Sequence, residues 1–195
     1  MTPIQLIEWV AAALGFCCVA LNAIENIWGW PAGLLSVFLY LFVFFEAELY
    51  ADVTLHVIYV GLSAYGWYHW LKGGQAENSL PITRLSRREW MLMLGLSTLG
   101  AILAGLGYDH LTGADLPYLD SVIMAFSLAA QYMLARKQLE NWIFWMGVDI
   151  IAVGVYYYKG LYPTAMLYAA YLVLAAIGYV YWRRQWKTAT VHQHA

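Results

Sequence analysis

Asn141, Trp145 and Asp149 stand four residues apart in an otherwise apolar stretch. On an α-helix that spacing places an amide, an indole and a carboxylate on one face. Asp149 is the one carboxylate set deep inside such a stretch, and an acid in hydrocarbon is costly enough that it faces a cavity or a partner. The stripe therefore reads as one wall of a ligand site. The competing reading is an Asp149 held by a Tyr or Gln of a neighbouring helix. Gln131 is a second amide in apolar surroundings, and Asn22 and Asn26 frame the start of another apolar run. Such amides tie helices together, or match a carboxamide or a sugar hydroxyl.

Aromatic residues supply the rest of the candidate wall. Tyr168, Tyr171, Tyr179 and Trp182 lie on related turns of the last apolar run, and His56, Tyr59, Trp67 and Trp70 lie on an earlier one. Trp67, Trp70 and Trp182 fall near a membrane boundary, where aromatic belts form. At 17% of the chain, though, aromatic residues exceed what two belts need. A box of rings around a flat cation is the functional use of the excess. His56 has three readings: ligand contact, proton relay or cross-helix hydrogen bond. The run Trp28-Gly29-Trp30-Pro31-Ala32-Gly33 opens a helix, with Pro31 in its first turn and Gly33 allowing close packing.

The elements that must position these residues are membrane helices. Apolar residues make up 63% of the 195 and charged residues 11%, which excludes an ordinary soluble domain. Runs near Ile4–Leu21, Trp28–Phe45, Leu49–Leu71, Trp90–Tyr108, Tyr118–Ala135, Asn141–Tyr158 and Tyr162–Trp182 are long enough to span a bilayer. Part of the chain repeats at an offset of 112: Leu49/Leu161, Tyr59/Tyr171, Gly66/Gly178 and Trp70/Trp182 are identical. Upstream, Glu25, Asn26 and Trp30 return as Glu140, Asn141 and Trp145 at 115. The expectation is an all-α membrane protein, one domain over 1–195. Its seven transmembrane helices would form two parallel three-helix repeats (4–71 and 118–183) joined by a linking helix (90–108). A site between the repeats near the midplane goes with that plan.

With the N-terminus outside, nine of the ten basic residues fall on the inner side and Lys159 alone on the outer, a strong positive-inside signal. Glu46, Glu48, Asp109, Asp115 and Asp120 gather on the outer face, either as a plain solvated surface or as a field that mildly concentrates cations. Cys17 and Cys18 are neighbours on a helix, point apart, and read as small apolar residues. There is no phosphate-cradling loop, no paired carboxylates at catalytic spacing and no metal-ligand cluster; His192 and His194 sit in a mobile tail. No enzyme, ATP-driven pump, cofactor, metal site or nucleic-acid partner is expected. A membrane scaffold stays as the non-transporting alternative, although a scaffold has no use for buried Asn, Gln and Asp on facing helices.

The segment Glu25 to Gly33, the triple Asn141, Trp145 and Asp149, and Trp182-Arg183 resemble the PnuC family of bacterial nicotinamide riboside transporters, over the whole chain. The resemblance implies a plan like that of the sugar-carrying SWEET transporters and facilitated uptake across the cytoplasmic (inner) membrane. It also implies trapping of the vitamin by a separate cytoplasmic riboside kinase, and a homotrimer. A pyridinium riboside suits the residues: Trp and Tyr rings for stacking, Gln131 and Asn141 for the carboxamide or ribose, Asp149 for a hydroxyl or the charge. The expected substrate-binding set is Gln131, Asn141, Trp145, Asp149, Tyr168, Tyr179, Trp182, His56, Trp67, Asn26 and Trp30. Thiamine, another aromatic cation, is the nearest alternative substrate.

Overall fold

The structure is a computed structural model that describes residues 3–46, 50–73, 80–111 and 116–194. Glu48, Leu49 and Asp115, named above, lie outside the described residues. Among them the chain forms seven α-helices: α1 Pro3–Ala23, α2 Gly29–Glu46, α3 Tyr50–Lys72, α4 Arg87–Leu111, α5 Pro117–Ala135, α6 Asn141–Tyr158 and α7 Tyr162–His194. The expected spans match these within a few residues, with one correction. α7 does not stop at Trp182, and His192 and His194 belong to a helix rather than a mobile tail. Arg183 to Lys187 are good helix formers, and nothing in 183–194 breaks the backbone pattern.

Five of the described helices are apolar and long enough to cross a bilayer: α1, α2, α4, α5 and α7. α3 and α6 are not among them, and both carry polar residues such as His56 and Asp149 in their middle turns. The packing is inverted relative to a soluble protein. Leu35, Phe38 and Phe42 on α2 and Leu96, Leu99 and Leu103 on α4 are exposed, whereas Asn22, Ser63, Ser127, Gln138, Asn141 and Asp149 are buried. So much contiguous apolar surface belongs in lipid rather than water.

Local chemistry fixes the helix ends. Pro3, Pro117 and Pro163 sit in first turns, where the missing amide hydrogen costs nothing. Ser86 and Glu89 form a capping box at α4: Glu89 Oε2 accepts from the Ser86 amide at 2.7 Å, and Ser86 Oγ accepts from the Glu89 amide at 3.3 Å. Asn26 Oδ1 accepts from the Trp28 amide at 3.0 Å before α2. Glu25 and Lys137, in the α1–α2 and α5–α6 turns, take the left-handed backbone conformation at φ 59° and 50°.

Those two residues are 112 apart, and so are the first residues of α2 and α6, the last residues of α2 and α6, and the first residues of α3 and α7. α1 packs on α2 and α7; α5 packs on α6 and α3; α4 packs on α5, and its Trp90 reaches Phe144 of α6 at 5.6 Å. Gly66 lies against the Trp30 ring and Gly178 against the Trp142 ring. The packing thus pairs Trp30 with Trp142 at the same offset of 112, not with Trp145 as the identity at 115 had indicated. A Cβ on Gly178 would meet the Trp142 ring at 2.7 Å. Gly178→Ala is therefore expected to destabilise by about 1–3 kcal/mol despite its better helix propensity, read as a lower thermal midpoint in detergent.

Candidate functional site

A large cavity, about 1580 Å³, lies between α1–α3 on one side and α5–α7 on the other. It exceeds the roughly 300–1,000 Å³ of enclosed ligand pockets, so it comprises a site and a vestibule. Its lining begins at exposed residues where α1 and α7 start, such as Gln5, Glu8 and Pro163. It ends at the buried Asn22, Leu134, Trp142 and Ala175. The cavity therefore opens at the end where α1, α5 and α7 begin and is blind at the other.

The blind end is a floor of four tryptophans. Trp30 and Trp70 meet edge-on at 5.4 Å, Trp142 and Trp182 edge-on at 5.5 Å, and Trp70 and Trp182 link the two pairs at 5.9 Å. Trp70 Nε1 donates to the Leu134 carbonyl at 3.1 Å, which ties α3 to α5; Trp182 Nε1 donates to the Asn22 carbonyl at 3.2 Å, which ties α7 to α1. Beside the rings Lys137 Nζ lies 4.5 Å from the Trp70 centroid and 2.9 Å from Glu25 Oε2, and both side chains are largely buried. This ion pair crosses from the α5–α6 turn to the α1–α2 turn. The segment after α3 braces the same region: the Thr83 amide donates to the Lys137 carbonyl at 3.0 Å, and Arg84 Nε pairs with the buried Glu140 at 3.0 Å.

The walls are polar on one side and aromatic around it. Gln131 Nε2 donates to Ser63 Oγ at 3.3 Å, which joins α5 to α3. Trp145 and Asp149 line the cavity from α6, and Asp149 is buried, with neither a hydrogen bond nor an ion pair among the described residues. The positions 112 earlier are Val19, Gly33 and Val37, so these three polar or aromatic side chains have no counterpart at the matching positions of α1 and α2. Tyr168 stacks on Tyr156 at 5.2 Å and meets Tyr171 edge-on at 5.9 Å; His56 meets Phe44 at 4.8 Å and Tyr59 at 5.9 Å. Tyr59 is hydrogen-bonded to Ser127.

Of the expected site residues, Gln131, Trp145, Asp149, Tyr168 and His56 come together on the cavity wall. Trp30 and Trp182 are part of the floor beneath it, with Tyr179 packed against them. Asn141 is fully buried at the start of α6, where its Nδ2 donates to the Gln138 carbonyl at 2.7 Å. Asn26 caps the α1–α2 turn, and Trp67 is 37% exposed on α3 and absent from the lining.

The sequence profile of the family described as nicotinamide mononucleotide transporter matches residues 5–184. The chain belongs to that family. The nicotinamide riboside transporter PnuC of Escherichia coli (strain K12) is 28% identical over 201 residues, 90% of this chain and 84% of that protein. The protein of the same name from Neisseria mucosa is 29% identical over 194 residues, 93% of this chain and 73% of that one. The riboflavin/roseoflavin transporter RibM of Streptomyces davaonensis is 26% identical over 180 residues, 90% of this chain and 83% of that protein. The crystal structure of the vitamin B3 transporter PnuC superposes with a TM-score of 0.76 at 28% identity, over 96% of this chain and 84% of that one. Family members are named for transport rather than catalysis.

The cavity residues without a signal in the sequence are small or ordinary. Ser63, Ser127 and Tyr40 line the cavity but carry no signal that separates them from helix-packing residues. Trp142 had one: the offset of 112, extended upstream, assigns it to Trp30.

Proposed function

We propose that this chain carries nicotinamide riboside across the bacterial cytoplasmic membrane by facilitated diffusion. The observation that carries the reading is the charge pattern of the cavity. Glu8, Asp120 and Asp149 line it, Lys159 is the one Lys or Arg among its described lining residues, and Lys159 is already paired with Asp120. A pyridinium cation fits that balance, whereas a phosphate would meet carboxylates and no unpaired cation. This favours the riboside over the mononucleotide of the family's description. Gln131 and Asp149 offer an amide and an acceptor to the carboxamide and ribose, and Trp145, Tyr168, Tyr171 and His56 offer ring faces. Asn141, Trp182, Trp30, Tyr179, Asn26 and Trp67 then act from behind this first layer or at the surface. Riboflavin is a second reading, supported by the likeness to RibM.

The proposed architecture is seven membrane helices, α1–α3 and α5–α7 as parallel repeats with α4 between them. The shared offset of 112 in helix ends, left-handed turns and indole hydrogen bonds supports it. The proposed orientation is N-terminus out and C-terminus in, supported by the basic residues that cluster where α3 ends, α4 begins and α7 ends. The cavity then faces outward, and the tryptophan floor with Glu25–Lys137 is the inner barrier. Rocking of the repeats about the site would open the floor as it closes the mouth. The proposed assembly is a homotrimer, with α4, whose Leu96, Leu99 and Leu103 are exposed, offering apolar surface to a copy. Kinase trapping inside the cell would make uptake directional.

The test is a calorimetric titration of purified protein with nicotinamide riboside, with the mononucleotide and thiamine as controls. Riboside binding alone is the expected result. Gln131→Ala should weaken it by about tenfold, the worth of one hydrogen bond near a polar ligand. Mononucleotide binding as tight as riboside binding would overturn the charge argument.

A further inference from the structure

The mouth of the cavity holds three charged side chains that the proposed function uses only for their charge balance: Glu8 on α1, Asp120 in the first turn of α5, and Lys159 at the end of α6. Glu8 and Asp120 are 112 apart, the spacing that also relates Glu25 to Lys137 at the floor. They thus take corresponding places on the two sides of the mouth. Lys159 Nζ lies 2.9 Å from Asp120 Oδ2 and 3.2 Å from Asp120 Oδ1. Glu8 has no ion pair among the described residues. The position 112 before Lys159 is Ala47, so no second lysine mirrors this one.

The two ends of the cavity differ in one respect that matters. At the closed floor the lysine–carboxylate pair bridges the α1–α2 and α5–α6 turns. At the open mouth the pair joins α5 to the C-terminal cap of α6, and the carboxylate across the opening has no cation among the described residues. In the rocking motion proposed above, closing the mouth would move the ends of α1 and α5 together and bring Glu8 toward Asp120. Two carboxylates in a narrowing gap repel, and the repulsion grows as water leaves. An ammonium with three donors on a flexible stem can hold both.

We propose that Lys159 is the latch of the mouth: it stays on Asp120 throughout and takes Glu8 as a second partner when the two halves close. One cation then bridges two acids from opposite halves, as Lys137 bridges the floor in the conformation described here. The inference rests on the rocking motion proposed above and not on the identity of the substrate.

The test measures the motion without substrate. Spin labels at Leu6→Cys on α1 and Leu119→Cys on α5, in a Cys17→Ala/Cys18→Ala background, report the width of the mouth by pulsed electron resonance of the full chain in lipid nanodiscs. With Lys159 present, a long and a short distance are expected. Lys159→Ala should cut the short-distance population by about fivefold, the scale of a partly exposed ion pair. Adding Glu8→Gln to Lys159→Ala should restore most of it, because the repulsion is gone. An unchanged short population in Lys159→Ala would overturn the latch, as would the absence of a short distance in every variant. Failure of Glu8→Gln to restore closure would also overturn it, since a role confined to the α5–α6 pair would not involve Glu8. If wild-type protein takes up no riboside, the substrate reading falls while the distance result stands.

Discussion

Asp149→Asn is expected to raise the thermal midpoint of the purified protein and at the same time to weaken riboside binding by about ten- to a hundredfold. Both effects have one cause. Asp149 is buried on α6 with no hydrogen-bonding or ion-pair partner among the described residues, so the empty protein bears the cost of a lone carboxylate in the membrane interior. An amide of the same shape removes the charge and keeps the volume. The stabilisation is about 1–2 kcal/mol, on the scale of an imperfectly solvated polar group, and shifts the midpoint by a few degrees. A bound cation or ribose hydroxyl supplies the missing partner, and that gain disappears with the charge. Thermal denaturation and calorimetry on one preparation check both arms. A variant that melts lower would mean Asp149 serves packing, and unchanged affinity would remove it from the site.

Lys137→Met is expected to open the floor. Lys137 is 4% exposed and Glu25 20% exposed across a 2.9 Å contact that joins the two turns. Removal of one partner of a buried pair costs about 3 kcal/mol, toward the low end of the usual range because Glu25 keeps some water. Only the floor-closed state contains the contact, so that state loses the energy and the inward-open state gains population by a comparable factor. Val37→Cys in a Cys17→Ala/Cys18→Ala background, at a partly exposed position of the cavity lining, reports the change. A membrane-impermeant maleimide should label it from the mouth side in the parent protein. In Lys137→Met it should label from the floor side as well. The double change Glu25→Gln/Lys137→Met should return labelling toward the parent pattern, because no charge is then stranded. Labelling confined to the mouth side in Lys137→Met would show that the tryptophans alone hold the floor.

The helices were legible because each is a run of lipid-compatible residues whose ends carry Pro, Asn or charge. Hydropathy alone ends α7 too early, because it falls at Arg183 while the helix runs on to His194. Hydropathy marks where lipid stops, which is not where backbone hydrogen bonding stops. Gln131, His56 and Asp149 were legible as cavity residues because a polar side chain in an apolar run must face something other than lipid. Trp145 was reached through its stripe with Asp149, although its proposed match to Trp30 was displaced by Trp142. The floor was not legible as a floor. Trp30 and Trp182 looked like ligand contacts, and only the packing of Trp30 on Gly66 and the Trp182 hydrogen bond to Asn22 place them below the cavity. The pairing of Glu25 with Lys137 was equally hidden, since the identity of Glu25 with Glu140 pointed elsewhere in the chain.

Uptake of labelled nicotinamide riboside into proteoliposomes holding only this protein tests the central claim most directly. Saturable uptake is predicted, competed by unlabelled riboside but not by the mononucleotide, and unchanged when the proton gradient is collapsed. Liposomes that take up no riboside, or that carry the mononucleotide equally well, would contradict it.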